Sequence, residues 1–290
     1  MLLLIRPARF AYNPQTAITN TFQQEAAAEE SIAQKAREEF DRFVTALHAQ
    51  QIETLIIDDT PEPAKPDAVF PNNWISFHDR RSIVLWPMHA PNRRLERRDD
   101  IVKMLQERFS YPGLLDLSHY EKENRFLEGT GSLVIDHKHR LAYAALSPRT
   151  DPGLLRTACR HLNYKPVSFR TPAAIYHTNV LMALHEKLAV VCETCIDPRD
   201  VRMVFGMLED TGHELLRISE KQMNSFAGNM LFVKNKNGED CCILSAQAYA
   251  SLENGQLQLL ERHARPVFSD LGTIETRGGG SARCMLAEIR

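Results

Sequence analysis

The sequence predicts an α/β fold in which five similar modules close into a ring, like the blades of a propeller. Three observations support this fold class. A strand–strand–helix–strand pattern recurs about every fifty residues, a period typical of repeat architectures. One such module cannot bury its own apolar face, so neighbouring modules must share a core. The fifth module is split between the two chain ends, which closes the ring and leaves no free sheet edge. The alternative is an α/β domain without internal symmetry.

Each module opens with a polar or small residue that leads into an apolar, strand-like run. With Asn73, Glu128, His177 and Gly228 as markers of these openings, the successive spacings are 55, 49 and 51 residues. A charged turn and a second apolar run follow each opening. The pattern therefore predicts two strands at the start of every module.

A helix and a third strand complete each module. Asp151-Pro152 and Asp197-Pro198 each combine an acidic cap with a proline in the first turn, which predicts helices beginning at these points. The predicted third strands lie at 113–118, 165–169, 214–219 and 265–270.

The chain ends supply the fifth module. The segment 271–289 predicts two strands before the chain stops. The missing helix is predicted at 24–49, which is rich in Ala, Glu and Gln, and the last strand at 53–58. Leu2–Ile5 is predicted to be a short buried strand.

Composition excludes several classes of protein. The 290 residues include 35 Lys and Arg against 37 Asp and Glu, so a strongly basic nucleic-acid binder is not expected. No apolar run approaches the ~20 residues that cross a bilayer, and the N-terminal apolar stretch is shorter than the about 7–15 residues of a secretory signal. We therefore expect a cytoplasmic protein without nucleic-acid or membrane partners.

The six cysteines are too sparse for a disulfide scaffold, so reduced thiols are expected. Cys192 and Cys195 form a CxxC pair, and Cys241 and Cys242 are adjacent, which raises the alternative of a zinc site. Their flanks are apolar and strand-like, and strand alternation points neighbouring side chains to opposite faces. The prediction is buried structural thiols, with no metal.

Cys284 is the candidate nucleophile. It follows Gly278-Gly279-Gly280-Ser281, a stretch that lets backbone approach a ligand closely. A thiolate attacks sp² carbon well but needs a partner, because a free cysteine is mostly thiol at neutral pH. His177, which opens another module, is the candidate acid and base. A structural histidine is the alternative.

Glu128 opens its module between an apolar pair and a glycine-rich segment. A carboxylate in this setting suits bidentate pairing with an N–H-rich group such as guanidinium or ureido. The alternative is a residue that caps a turn.

The motifs LEGTGS at 127–132, IYHTNV at 175–180 and GGGSARCMLAEI at 278–289 together resemble the pentein superfamily of guanidine- and ureido-modifying enzymes. The segments 6–23, 69–76 and 226–231 are similar to its amidinotransferase-related, or citrulline-utilisation hydrolase, branch. The resemblance runs from Arg6 to Glu288. It implies a pseudo-symmetric five-bladed α/β propeller, the pentein fold, with residues 1–290 as one catalytic domain.

The resemblance also implies site residues. Cys284 becomes the nucleophile on the amidino or ureido carbon, His177 the general acid and base, and Glu128 the carboxylate that pairs with substrate nitrogens. Asn73 and Asn179 match the positions that contact the same group. The chemistry needs no metal and no organic cofactor.

The resemblance implies aspartates at the positions of Asn73 and Asn179 in enzymes that act on guanidinium. Two amides suit a neutral ureido group better, so the expected reaction is citrulline to ornithine, ammonia and CO2 through a covalent cysteine intermediate. The alternatives are an amidinotransferase or an arginine deiminase-like enzyme and, in another class, a non-catalytic ring that binds a partner.

Arg6, Phe10 and Asn13 resemble the substrate-lining loop of the superfamily. We expect Arg6, or Arg283 beside the nucleophile, to meet a carboxylate of an arginine- or citrulline-like substrate, a surface salt bridge being the alternative for each. The formation of a homo-oligomer is left open.

Overall fold

The computed structural model describes residues 1–25, 31–78, 82–172 and 175–290. Within these residues fifteen strands form five three-stranded sheets. In every sheet the first strand is antiparallel to the second, and the second is parallel to the third. This confirms the predicted ring of five strand–strand–helix–strand modules.

The strands follow the chain as β1 Leu2–Arg6, β2 Thr54–Asp58, β3 Ile75–His78, β4 Ser82–Leu85, β5 Gly113–Asp116, β6 Val134–Asp136, β7 Leu141–Ala145, β8 Lys165–Phe169, β9 Met182–Leu184, β10 Leu188–Val191, β11 Glu214–Arg217, β12 Leu231–Lys234, β13 Asp240–Ser245, β14 Arg265–Ser269 and β15 Ala287–Glu288. The helices are α1 Pro14–Ala17, α2 Ser31–Ala49, α3 Asp99–Phe109, α4 Gly129–Ser132, α5 Pro152–Leu162, α6 Thr178–Leu181, α7 Pro198–Asp210, α8 Glu220–Asn224, α9 Ala246–Ser251, α10 Asn254–His263 and α11 Gly272–Gly278. The four third strands predicted from the sequence are confirmed as β5, β8, β11 and β14.

The two predicted helix starts are also confirmed, because the acidic caps satisfy free backbone N–H groups. The Asp151 side chain accepts from the Leu154 N–H at 2.6 Å, and the Asp197 side chain accepts from the Arg199 N–H at 3.0 Å. Proline fills the first position of both helices, where no intrahelical hydrogen bond is lost.

The fifth sheet joins the chain ends in the order β15–β1–β2. The prediction of two strands within 271–289 is wrong in part, because residues 272–278 form α11 and only β15 comes from the C-terminus. β1 is the central strand instead. The buried Glu39 of α2 accepts from the N–H groups of Thr273 and Ile274 at 2.7 and 2.9 Å, which caps α11. The predicted helix 24–49 is described as α2, and residues 26–30 lie outside the described part.

The cysteines occupy the core as free, buried thiols. Cys241 and Cys242 face different apolar clusters, as strand alternation requires. Cys192 and Cys195 do not point to opposite faces of one strand, as was expected. The chain leaves β10 before them and turns at Glu193–Cys195. Their Sγ atoms are therefore 3.0 Å apart.

The first strands of the modules surround a central axis. Residues of β3, β6, β9, β12 and β15 all line one cavity of about 500 Å³. The segments that precede four of these strands carry Asn73, Glu128, His177 and Cys284. In the described residues, no helix has the length and apolar character needed to cross a membrane.

Candidate active site

A second, much smaller pocket brings the predicted catalytic residues together. Its free space is about 10 Å³, roughly what one water molecule needs. Cys284 reaches it from the short turn Ala282–Met285, and His177 from the residue before α6. Asn73 reaches it from the turn Pro71–Asn73, whereas Glu128, the residue before α4, contacts the pocket through His177. The residues come from different modules, so ring closure assembles the pocket.

Glu128 and His177 form a buried hydrogen-bonded pair. His177 Nε2 lies 2.8 Å from Glu128 Oε2, and both side chains are at most 2 % exposed. The other carboxylate oxygen accepts from the His89 backbone N–H at 2.9 Å. Glu128 therefore holds the imidazole in one orientation, as the orienting carboxylate of a catalytic pair does.

The electrostatics of this pair favour a neutral imidazole beside a carboxylate. Burial lowers the pKa of His177 to about 4, although Glu128 acts in the opposite direction. Burial alone would raise the pKa of Glu128, but Arg149, His177 and Arg93 outweigh it and hold that pKa below its ordinary range. His177 is thus neutral near pH 7, which is the form that a general base needs.

The Cys284 sulfur is contacted by two side-chain amides. Asn229 Nδ2 lies 3.3 Å and Asn179 Nδ2 3.6 Å from Sγ. Cys284 is 4 % exposed, and among the described residues no hydrogen bond joins it to His177. The thiol and the imidazole therefore line the same pocket without a hydrogen bond between them.

Gly131 of α4 allows His177 and Asn73 to approach. A Cβ atom there would lie 2.4 Å from Asn73 Nδ2 and 2.7 Å from His177 Nδ1. Any side chain at this position would displace both residues, so the glycine of the LEGTGS segment shapes the pocket.

Asp67 and Arg93 add buried charges that the sequence analysis did not find. Arg93 donates two hydrogen bonds to Glu96, at 2.8 and 2.9 Å, and one to Asn73 Oδ1 at 2.8 Å. Asp67 Oδ2 accepts from Asn13 at 2.7 Å, whereas Asp67 Oδ1 is buried and has no partner among the described residues. Burial raises the pKa of Asp67 despite the nearby Arg93. The pocket thus holds a carboxylate oxygen that is free to accept a hydrogen bond.

Arg149 is the second buried guanidinium of the pocket. It donates to Thr19 Oγ1 and to the Thr16 carbonyl at 2.6 and 2.8 Å, and its guanidinium carbon lies 4.6 Å from the centre of the Tyr176 ring. Its contact with Glu128 Oε2 is longer, 3.4 Å. Arg149 therefore ties segment 16–19 to the carboxylate of Glu128.

The remaining predicted site residues lie elsewhere. The expectation that Arg6 meets a substrate carboxylate is corrected, because Arg6 does not line the pocket. β1 directs its side chain towards α2, where it pairs with Asp41 at 2.7 Å and is 34 % exposed. The same expectation for Arg283 is also corrected. Arg283 lines the 500 Å³ cavity instead, and its side chain donates to the Leu286 carbonyl at 2.7 Å. Phe10 packs beside Gly278, and Asn13 contacts Asp67, so both support the pocket wall without lining it.

The same described residues contain no group of three His, Cys, Asp or Glu side chains arranged to hold a metal ion. Sequence reasoning missed the charged pocket residues Asp67, Arg93 and Arg149, and also Asn229, which contacts the Cys284 sulfur. Asn229 had a usable signal, because it adjoins the Gly228 marker of the fourth module. The other three lie in connecting segments, where no repeat position marks them.

The family comparison covers nearly the whole chain. A family model described as N,N dimethylarginine dimethylhydrolase, eukaryotic, matches residues 6–290. No curated protein matches the chain.

Solved structures of similar fold agree with the ring architecture. The product-bound N-terminal domain of ArgZ, an arginine dihydrolase from the ornithine–ammonia cycle in cyanobacteria, has a TM-score of 0.79 at 17 % identity, with 100 % of this chain and 97 % of that chain covered. A dimethylarginine dimethylaminohydrolase in adduct with S-methyl-L-thiocitrulline has a TM-score of 0.69 at 15 % identity, with coverages of 99 % and 98 %. Unliganded AgrE has a TM-score of 0.78 at 18 % identity, and the present chain spans 39 % of its length. At these identities the likeness concerns the fold.

Proposed function

Because the chain belongs to the N,N-dimethylarginine dimethylhydrolase family of the pentein superfamily, we propose that it hydrolyses a C–N bond of an arginine-like guanidino compound. The observation that carries this proposal is the pocket lined by Cys284, His177 and the buried carboxylate of Asp67, with Glu128 hydrogen-bonded to His177. A nucleophile, an acid and base, and acceptors for a cation then meet at one carbon atom.

In the first half-reaction the Cys284 thiol proton passes to His177, and the sulfur adds to the guanidinium carbon. His177 then gives this proton to one substrate nitrogen, which leaves as the amine or ammonia, and a thiouronium remains on sulfur. Glu128 stabilises the imidazolium that exists between these steps.

In the second half-reaction water adds to the thiouronium carbon and gives a proton to His177. The C–S bond then breaks, the sulfur takes back the proton from His177, and a ureido product leaves after losing a second proton to solvent or to the released amine. The net change is addition of one water and release of one amine, without an oxidant or a metal.

Asp67 is the feature of the pocket that favours a cationic substrate, because it lies beside the guanidinium groups of Arg93 and Arg149 and still has an oxygen without a partner among the described residues. The expectation of citrulline rested on the amides of Asn73 and Asn179, whereas the carboxylate of Asp67 also lines the pocket. A guanidinium N–H would satisfy the unpartnered Asp67 Oδ1, whose desolvation is otherwise uncompensated. Arg149 then serves as partner for the substrate carboxylate, since its contact with Glu128 is long.

Citrulline is the second candidate substrate. Asn73 Nδ2 and Asn179 Oδ1 are buried and have no hydrogen-bond partners among the described residues. A ureido group offers both an acceptor and donors to such amides. Competition between arginine-like compounds and citrulline therefore decides the chemical class of substrate.

The test is incubation of the purified protein with arginine, N,N-dimethylarginine and citrulline in H2¹⁸O, followed by mass spectrometry. Hydrolysis of a guanidino compound gives citrulline with one ¹⁸O, plus ammonia or dimethylamine. Conversion of citrulline to ornithine would select the second candidate. In a further incubation of arginine with glycine, formation of guanidinoacetate would indicate amidino transfer in place of hydrolysis. If none of these compounds is turned over, the result would support the alternative of a non-catalytic ring that binds a partner.

The matched controls are two cysteine variants. Cys284→Ser should abolish turnover, because a hydroxyl is a far weaker nucleophile than a thiolate. Cys159→Ser changes a buried thiol of α5 that lies outside the pocket and should keep turnover. Equal activity of the two variants would contradict the role of Cys284.

A further inference from the structure

Asn229 connects three parts of the nucleophile's surroundings. Its Nδ2 lies 3.3 Å from Cys284 Sγ and 2.9 Å from the Asn179 carbonyl, and its Oδ1 accepts from the Arg283 backbone N–H at 3.0 Å. The side chain is 1 % exposed. One carboxamide thus contacts the reacting atom, the backbone that carries it and the segment that carries His177.

The two backbone partners determine which way this amide points. The Asn179 carbonyl accepts only from Nδ2, and the Arg283 N–H donates only to Oδ1, so the flipped orientation would break both hydrogen bonds. The N–H end of Asn229 therefore lies nearer the sulfur, at 3.3 Å, than the oxygen end, which accepts from the Cys284 thiol at 3.7 Å. Gly228 permits this approach, because a Cβ there would lie 2.3 Å from the Val180 carbonyl oxygen.

His177 does not fill this role in the resting enzyme. Its Nε2 bonds to Glu128, and no hydrogen bond links its ring to Cys284 among the described residues. A thiolate in a buried site needs donors near sulfur, and hydrogen bonds to a charged group are stronger than those to a neutral one. The donors present are the amides of Asn229 and Asn179.

We propose that Asn229 is a positioning residue that stabilises the thiolate of Cys284 and aims its sulfur into the pocket. The fourth module then contributes the amide of Asn229 to the site, whereas the second and third modules contribute Glu128 and His177. This role rests on the proposed function, since it gives Asn229 a purpose only if Cys284 is the nucleophile.

The test measures alkylation of Cys284 by iodoacetamide as a function of pH, with peptide mass spectrometry to identify the modified cysteine. In Asn229→Ala the rate at pH 7 should fall about tenfold, the expected effect of losing one hydrogen bond to a charged group. The rate should return to the wild-type plateau in alkali, because enough thiolate then forms without the amide. Asn229→Asp should lose more, because a carboxylate repels the thiolate.

Structural damage is separated from this effect in two ways. Asn229→Asp keeps the shape and the acceptor for the Arg283 N–H, so it serves if Asn229→Ala fails to fold. Asn235→Ala is the control, because Asn235 is also buried, at 8 % exposure, and makes no contact with the sulfur among the described residues. Its Oδ1 accepts from the Asn237 and Glu239 N–H groups. It should lower the melting temperature and leave the alkylation profile unchanged.

A wild-type alkylation profile in a folded Asn229→Asp variant would overturn the proposal. A lower rate at every pH, plateau included, would also overturn it, since that result indicates blocked access and not loss of thiolate. Alkylation requires no substrate, so these outcomes are independent of whether the proposed hydrolysis is correct.

Discussion

The charge of Glu128 can be removed while its shape is kept. In the wild type, His177 and the His89 N–H lie 2.8 and 2.9 Å from the two carboxylate oxygens of Glu128. In Glu128→Gln the single amide oxygen still accepts one of these two hydrogen bonds. The variant keeps the imidazole in place but no longer compensates the positive charge that His177 carries during the reaction. Arg149 also loses the only carboxylate within 4 Å of it among the described residues.

The expected loss follows from one charge-assisted hydrogen bond. Such a bond contributes about 1.5–3 kcal/mol, and each 1.36 kcal/mol in the barrier is about tenfold in rate. We therefore expect kcat to fall about 10- to 150-fold. The full burial of Glu128, at 0 % exposure, places the value towards the upper end, because little solvent replaces the lost charge.

The assay is steady-state kinetics on the substrate identified with ¹⁸O, together with thermal unfolding of each variant. Asp59→Asn is the matched control, because Asp59 is a buried carboxylate paired with Lys65 at 3.2 Å and lies outside the pocket. It should reduce stability and keep kcat. A kcat of Glu128→Gln within twofold of wild type would refute the electrostatic role of this carboxylate.

The other predictions concern pH, substrate charge and space. Burial lowers the pKa of His177 from about 6.5 to about 4, so protonation favours the unfolded chain; the stabilisation is complete above pH 6.5 and decreases by up to about 3 kcal/mol as pH falls to 4. The difference in unfolding free energy between wild type and His177→Gln should decrease over this range, and a constant difference would exclude the effect. Asp67→Asn should raise KM for a guanidinium substrate about tenfold and leave KM for citrulline unchanged, because only the cation loses a charged partner; equal effects on both would contradict charge selection. Gly131→Ala should lower kcat/KM at least about tenfold by displacing His177 and Asn73, whereas Gly206→Ala, where a Cβ meets no atom within 4 Å, should keep activity; equal activity would disprove the steric argument.

The local elements were largely predictable because their signals lie close together along the chain. Asp151 and Asp197 sit three residues or fewer from the N–H groups they cap, so no tertiary information was needed to place α5 and α7. The module period similarly marked Glu128 and His177, since equivalent positions in a ring of repeats point to one axis. The predicted strand at 271–275 failed because Glu39, more than two hundred residues away, caps this segment as a helix.

The pattern of residues along the chain determined the five modules and the closure of the ring through its ends, and it marked Cys284, His177 and Glu128 as candidate site residues. Only the tertiary structure decided which connecting segments meet around Cys284: Asp67, Arg93 and Arg149 enter the pocket, while Arg6 and Arg283 turn away from it. The reason is physical. Hydrophobic periodicity and caps act over a few residues, whereas the direction of a side chain in a connecting segment depends on the packing of modules that are distant in sequence.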